Sequence, residues 1–386
     1  VISALSTDNP PRNVTRNDVA RLAGVSGGTV SLVLNRVPNK ISEKTRRAVI
    51  DAAKQLSYIP NSSARSLISG RSYNIGVVFY DIDYITHPFF ARTVPGVSQV
   101  ANEHRYGISF LNTRPPIGDT PNNFYFMDKV IAREVDGLIF QDDFVAVDLL
   151  KQLSKMQFPY VLINREIPMP TARSVLVDYN GTMTDSVNYL HGLGHQHIAF
   201  VTLKDLRGLR DSKRVVAAFR RAVKSPRTPT VHSCVFDLNL VHKPRYAGCY
   251  DMLDEDFWDA AAIEVGEHFK AHPKVTALIC RHDGIARIMN VVLSKLGLVI
   301  PRDISIMGVN NDPACVVMNP PLTTHEIPSH DLGAIAAEML FDMMGVVDDR
   351  SDQPVARDNK LYLRTRLLLR NSCAPPRNRA GTRLKQ

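Results

Sequence analysis

Between residues 15 and 57 the apolar positions recur at helical spacing, and from Tyr73 onward they gather into short runs typical of strands. The first helical pattern opens on Thr15 and Asp18, a capping box, and places Val19, Leu22 and Ala23 on one face. Gly24 and Val25 make a tight turn. A second short helix follows, with Ser26 as its N-cap and Val30, Val33 and Leu34 as its apolar stripe. The third begins near Ser42 and turns Ala48, Val49, Ala52, Ala53 and Leu56 inward. Two short helices joined by a glycine-containing turn and braced by a third make a helix-turn-helix unit; a generic three-helix bundle is the alternative. Gly27 and Gly28 occupy the first turn of the second helix, where each glycine costs up to about 1 kcal/mol against alanine.

Next comes "YIPNSSARSLISGRS", in which Pro60 stops one segment and Asn61 can cap another carrying Ala64, Leu67 and Ile68 on one face before Gly70. A helix this short is marginal in water, so a symmetry mate or DNA must hold it, unless the segment is a plain linker. The runs beyond it include "NIGVVFYDI", "DGLIFQD", "PYVLINR", "HIAFVT", "TALICRHD" and "ISIMGVN", with amphipathic helices such as Phe89 to Glu103 and Asp331 to Met343 between them. Strands alternating with helices over this length predict an α/β core of two doubly wound parallel-sheet subdomains. Ligands of such folds sit beyond the carboxyl ends of the strands, often between domains.

At 386 residues and 44% hydrophobic composition the chain can fill two or three domains. No apolar run approaches the roughly 18 residues of a membrane helix, and the start lacks a basic and apolar leader, so a cytoplasmic protein with no membrane partner is expected. The five cysteines are scattered and never spaced as CxxC, the pattern of reduced thiols. Net charge is +9, and its placement matters more. Residues 1–72 hold 11 Arg and Lys against 4 acids, and four more cations lie beyond Arg370, leaving the long middle slightly acidic. A basic module on a near-neutral body points to a polyanion partner for the module, although a solvated basic face would have the same composition.

With "DVARLAGVS", "TVSLVLN", "ISEKTRRAV", "LSYIPNSSARSL", "HPFF", "VDYNGTMTDSVNYLHGLGHQHIAF", "IPRDISIMGVNND" and "PPLTT" in this order, the chain resembles the lactose/galactose repressor (LacI-type) family of bacterial transcription regulators. The resemblance runs from Val14 to Pro376 and implies a homodimer on a palindromic double-stranded operator. It also implies a hinge helix that opens the minor groove and a periplasmic-binding-protein-like core that senses a small, sugar-like effector. The divisions it suggests are an arm at 1–13, a headpiece at 14–59, a hinge at 60–72, a core at 73–371 and a disordered basic tail at 372–386. Within the core, 73–173 and 310–330 are expected in the N-terminal subdomain, 174–309 and 331–371 in the C-terminal one.

The DNA-binding positions it implies are Thr15, Ser26, Gly27, Gly28, Thr29, Ser31, Leu32, Asn35, Tyr58, Asn61, Ala64 and Leu67. Thr15, Thr29, Ser31, Asn35 and Tyr58 match phosphate contacts, which set register without reading sequence. Leu67 matches a hinge leucine that wedges into the minor groove and bends the duplex. The positions that read bases elsewhere in the family are here Gly27, Gly28 and Leu32, and none can hydrogen-bond a base through its side chain. Leu32 can pack on a thymine methyl, and the glycines let the helix N-terminus approach DNA closely. The headpiece is therefore expected to read few bases by hydrogen bonding and to rely more on shape.

In the core, Asp283 matches an effector-binding aspartate and Phe90 an aromatic against which ligands pack, with Arg165 a plausible polar partner. Val215 stands where the family has a pocket arginine, and Arg214 lies one residue earlier, rotated by about 100° on a helix. Arg281 and His282 replace residues that are usually small or amides, so the ligand is expected to be anionic or differently shaped. No cofactor is implied. Cys280, His282 and Asp283 alternate faces and do not assemble a triad. His191, His195 and His197 mimic a metal spacing that Gly192 and Gly194 break, so no metal site is expected. The resulting expectation is a repressor and not an enzyme. The alternatives are a catabolite-type regulator whose core docks a partner protein and a DNA-tethered enzyme.

Overall fold

The computed structural model describes residues 14–34, 41–58, 69–79, 87–113, 126–141, 146–204, 210–239, 255–346 and 359–377. The chain divides into two compact units, Val1–Ser72 and Tyr73–Gln386.

The first unit contains α1 (Arg16–Ala23), α2 (Gly27–Leu34) and α3 (Glu43–Gln55). At the start of α1 the Asp18 N–H donates to Thr15 Oγ1 at 3.4 Å, while Asp18 Oδ2 accepts from the Thr15 N–H at 2.9 Å. Gly24 closes α1 at φ 65°, a left-handed value that favours glycine. Ser26 Oγ accepts from the Thr29 N–H at 3.1 Å, and Ser42 Oγ from the Thr45 N–H at 3.2 Å. Val19, Ala20, Val30, Val33, Val49, Ala52 and Ala53 form the buried cluster. Two expected core positions differ: Leu22 is 47% exposed and Ala48 is exposed. The buried stripe of α1 runs through Val19 and Ala20 toward Ala23, which rotates Leu22 outward.

Among the described residues, the second unit holds two six-stranded sheets. The strands of the first are β1 (Asn74–Phe79), β2 (Gly107–Asn112), β3 (Gly137–Phe140), β4 (Tyr160–Ile163), β5 (Arg173–Val177) and β11 (Lys360–Leu363). Their order is β11-β5-β4-β3-β1-β2, parallel throughout. Those of the second are β6 (His197–Leu203), β7 (His232–Leu238), β8 (Ala277–Cys280), β9 (Ser305–Asn310), β10 (Thr323–Glu326) and β12 (Arg366–Leu368). They run β12-β10-β9-β8-β6-β7, with only β12 antiparallel to its neighbour. The all-apolar runs of β3, β4 and β8 are buried on both faces, as parallel strands covered by helices must be.

The chain passes between the sheets after β5, after β10 and between β11 and β12, which corrects the expected subdomain boundaries. Residues 173–177 belong to the first sheet and 323–326 to the second. The helix Ser329–Met343 packs on the helix Pro88–Glu103 and on β3 and β4 of the first sheet. The contact between these helices is set by two glycines. A methyl group on Gly96 would collide with the His330 carbonyl, and one on Gly333 with the Thr93 carbonyl. This backbone-to-backbone approach assigns the helix to the first sheet, and strand patterning alone carries no such information. Cys234, Cys280, Cys315 and Cys373 are free thiols. No helix among the described residues is long and apolar enough to cross a membrane.

Candidate nucleic-acid interface and ligand cleft

The outer face of α2 is made by Gly28 and Leu32, one helical turn apart, with Leu32 40% exposed. Thr15 and Ser26 lie exposed at the two helix starts, with Gly27, Thr29 and Ser31 half-buried beside them. The Ser26 and Thr29 hydroxyls are 3.0 Å apart. Tyr58 packs half-buried against the headpiece core. Asn35, Asn61, Ala64 and Leu67 lie outside the described residues. One residue the sequence reading passed over joins this surface: Arg16 Nη1 donates to Ser31 Oγ at 3.2 Å, tying α1 to α2.

In the core, the helix Pro88–Glu103 follows β1 and is capped by His87, whose Nδ1 accepts from the Phe89 N–H at 3.3 Å. The helix Asp283–Lys295 follows β8 and is capped by His282, whose Nδ1 accepts from the Ile285 N–H at 3.3 Å. The two imidazoles, one from each subdomain, meet edge to face with centroids 6.2 Å apart. Burial, then the charge of Arg281, pulls the His87 pKa down to about 4. The same two causes, followed by His87 and Arg287, push His282 well below its usual range. Both rings are therefore neutral near pH 7, as their roles as cap acceptors require. Phe90 lies 5.6 Å from His87 and edge-on to Phe79 at 6.0 Å, beside the same pair of imidazoles.

Arg92, on the same helix, donates to the Asn310 carbonyl at 3.0 Å and the Asn311 carbonyl at 2.7 Å. It therefore clasps the two subdomains together. Asp312 is pushed up to about 7 by burial and then by the Asp283 carboxylate. Its Oδ1, together with Gln141 Nε2, Thr113 Oγ1 and Thr202 Oγ1, is buried with no hydrogen-bond partner among the described residues. All four lie at or just past the carboxyl ends of strands.

The expected effector residues do not all converge. Asp283 is 1% exposed and turned into the second sheet. Its Oδ1 accepts from Thr324 Oγ1 at 2.6 Å and its Oδ2 from the Asp312 N–H at 2.8 Å. Gly308 leaves room for this carboxylate, since a methyl there would collide with Oδ1. Asp283 thus braces the cleft wall, and the neighbour that faces His87 is His282. Arg165 is buried after β4.

Arg214 lies near the β5–β11 edge of the first sheet, donating to the Asn164 carbonyl at 3.2 Å and pairing with Glu166 at 3.7 Å. There it lines a separate cavity of about 390 Å³ with Tyr179, Lys213, Arg221 and Tyr362. Val215, in the position of the family's pocket arginine, is a core residue. The Cys280 thiol is buried in the second sheet's core, its pKa raised well above the usual value by burial and then by Asp283. His195 is buried between Thr276 Oγ1 at 2.8 Å and Ser305 Oγ at 3.1 Å, and His197 stacks on His232 at 4.8 Å.

Two family models match the chain: bacterial regulatory proteins of the lacI family over residues 15–61, and the periplasmic binding protein-like domain over residues 187–373. The HTH-type transcriptional regulator RegA of Clostridium acetobutylicum is 30% identical over 329 residues, covering 85% of this chain and 91% of RegA. This chain belongs to the LacI family of transcription regulators. Catabolite control protein A of Priestia megaterium is 29% identical over 332 residues, 86% of this chain and 93% of that protein. The fold is that of the lac repressor dimer solved with operator and the anti-inducer ONPF, at 20% identity and TM-score 0.72 over 94% of this chain and 100% of that one. These relatives of the family are regulators, not enzymes.

Proposed function

We propose that this chain is a homodimeric repressor whose affinity for a palindromic operator is set by a small polar metabolite bound between the two core subdomains. Residues 14–59 grip the duplex, residues 60–72 act as the hinge, and the core senses by binding without turnover. One observation carries the reading: the capping imidazoles of two helices, one per subdomain, face each other at 6.2 Å at the carboxyl ends of parallel strands. A ligand seated against this pair must touch both subdomains, so occupancy and subdomain spacing are coupled.

Phe90 supplies an apolar wall, and neutral His87 and His282 supply ring N–H donors. Asp312, Gln141 and Thr202 supply buried polar atoms with capacity to spare. Arg281 brings a positive charge near both rings, which supports testing acidic sugar derivatives beside neutral ones. Among the described residues, Cys280 in the core and His282 engaged as a cap do not form a nucleophile and base in register with each other, which favours a sensor.

The test uses the full chain and palindromic sites enriched from a randomised duplex library at physiological salt, with panels of sugars, sugar acids, sugar phosphates and nucleosides. Preference for a palindromic site, together with a metabolite that shifts both the melting temperature and the operator affinity, supports the reading. No preference over random DNA overturns the operator part. A core that answers no metabolite, and responds only to an added protein, overturns the effector part.

A further inference from the structure

The recognition helix has a bare N-terminus, and an arginine from the preceding helix lies across it. A β-carbon built on Gly27 would stand 3.2 Å from Arg16 Nε and 3.2 Å from Asn17 Oδ1, closer than ordinary van der Waals contact. Over Gly28 the nearest such neighbour is only the Ser26 hydroxyl, at 3.6 Å. Arg16 Nη1 donates to Ser31 Oγ at 3.2 Å, one helical turn beyond Gly27, so the guanidinium spans the first turn of α2. Arg16 is nonetheless exposed.

In a helix-turn-helix, the N-terminal residues of the second helix are the ones that meet base edges in the major groove. Here Gly27 and Gly28 offer no side chain, and the group lying over Gly27 is a planar fork whose Ser31 contact uses one of five N–H donors. Such a fork matches guanine O6 and N7.

We propose that Arg16, seated over α2 by the absent side chain of Gly27 and by Ser31, reads a guanine in the major groove. Base recognition is thereby moved from the second helix to the first. This narrows the expectation of a headpiece reading mostly shape: one steep major-groove preference per half-site is restored. It also explains Gly27, since a side chain there would press on the guanidinium that reads the base.

The experiment selects binding sites for the full chain from a randomised duplex library. It then measures affinity for the selected site and each single-base variant at two salt concentrations, for wild type, Arg16→Ala, Arg16→Lys and Gly27→Ala. In wild type, replacing one guanine in each half-site should weaken binding about 10- to 100-fold. Arg16→Ala and Arg16→Lys should flatten that position and leave the others unchanged, since lysine keeps the charge but loses the fork. Gly27→Ala should weaken the same preference while holding or raising the melting temperature, because alanine favours the helix.

An equal loss of affinity for every sequence, with the salt slope reduced by about 1 and restored by lysine, makes Arg16 a phosphate contact and overturns the proposal. So does a base profile unchanged in Arg16→Ala. If wild type enriches no site, the operator reading itself has failed, an outcome distinct from a selected site that ignores Arg16.

Discussion

The headpiece and the core place their chemistry on opposite sides of the surface. In the headpiece the interior is purely apolar, from Val19 and Val30 to Val49, and the candidate DNA-reading groups Arg16, Gly28 and Leu32 are outside it. In the core the polar groups of the candidate cleft's wall are themselves interior: Asp283, Asp312 and Gln141 are all at or below 9% exposure, behind the half-buried His87, His282 and Phe90. A surface reader can therefore change its specificity with little effect on folding. A buried polar cleft cannot, because each of its groups was desolvated when the chain folded.

The largest effect expected from breaking this comparison is at Gly96, where the backbone of the helix Ser329–Met343 leaves no space for a side chain. Gly96→Val should cost the core an amount at the upper end of the roughly 1–3 kcal/mol typical of overpacking, or more. Calorimetry should show the core transition falling steeply while binding to random DNA, a property of the basic headpiece, persists at low temperature. Loss of both together would mean that the two units do not melt independently.

The headpiece was legible in the sequence and the cleft only in part, for a physical reason. Capping box, turn glycine and apolar stripe are local signals, so α1, α2 and α3 could be read directly, apart from the outward Leu22 and Ala48. The strand–helix alternation revealed two parallel sheets, yet not which sheet residues 323–326 or 329–343 join, because that depends on contacts between segments far apart in sequence. The cleft is assembled in the same way, from His87, Arg92, His282 and the loop after β9. Asp283 was drawn toward the ligand by its motif, whereas Thr324 and the Asp312 amide hold it in the wall. Arg16 was missed because nothing local marks it; the nearest signal was Gly27, the glycine it covers.

Next in size is the Arg92 clasp. Two charged hydrogen bonds to carbonyls of the opposite subdomain are lost in Arg92→Ala, and hydrogen bonds to charged groups contribute about 1.5–3 kcal/mol. The core should melt lower, and X-ray scattering should show a more open core in the absence of ligand. An unchanged scattering profile would mean that helix packing, not the clasp, sets subdomain spacing.

A smaller effect separates the core's titrating groups, Asp312 and His87 at the cleft and His325 in β10, which is buried between Ser186 and Thr365. Asp312 has a folded pKa of about 7, above its unfolded value, so the folded state holds the extra proton and stability falls as pH rises from about 4 to 7. His87 and His325, both lowered to about 4 chiefly by burial, act oppositely: their contribution is present above about 6.5 and lost as pH falls toward 4. In wild type these slopes oppose each other. Asp312→Asn should leave the histidine slope alone, so the core's melting temperature should climb more steeply between pH 4 and 7 than in wild type. A parallel curve would mean that Asp312 is solvated in the folded state.

The smallest effect returns to the headpiece, where the recognition helix starts with two residues that favour disorder. Gly27 and Gly28 weaken its first turn, so the turn depends on Ser26, whose Oγ accepts from the Thr29 N–H at 3.1 Å and whose carbonyl accepts from the Val30 N–H at 3.1 Å. Ser26→Ala removes the first of these bonds, a loss of about 1 kcal/mol for an N-cap. Amide exchange across Gly27–Leu34 should accelerate about 5-fold, with exchange in the two sheets unchanged. Operator affinity should fall by a similar factor with no change in which bases are preferred, since the seat of Arg16 is made by Gly27 and Ser31 and not by the cap. A shift in base preference in Ser26→Ala would instead show that the order of this turn, more than the arginine lying over it, decides what the headpiece reads.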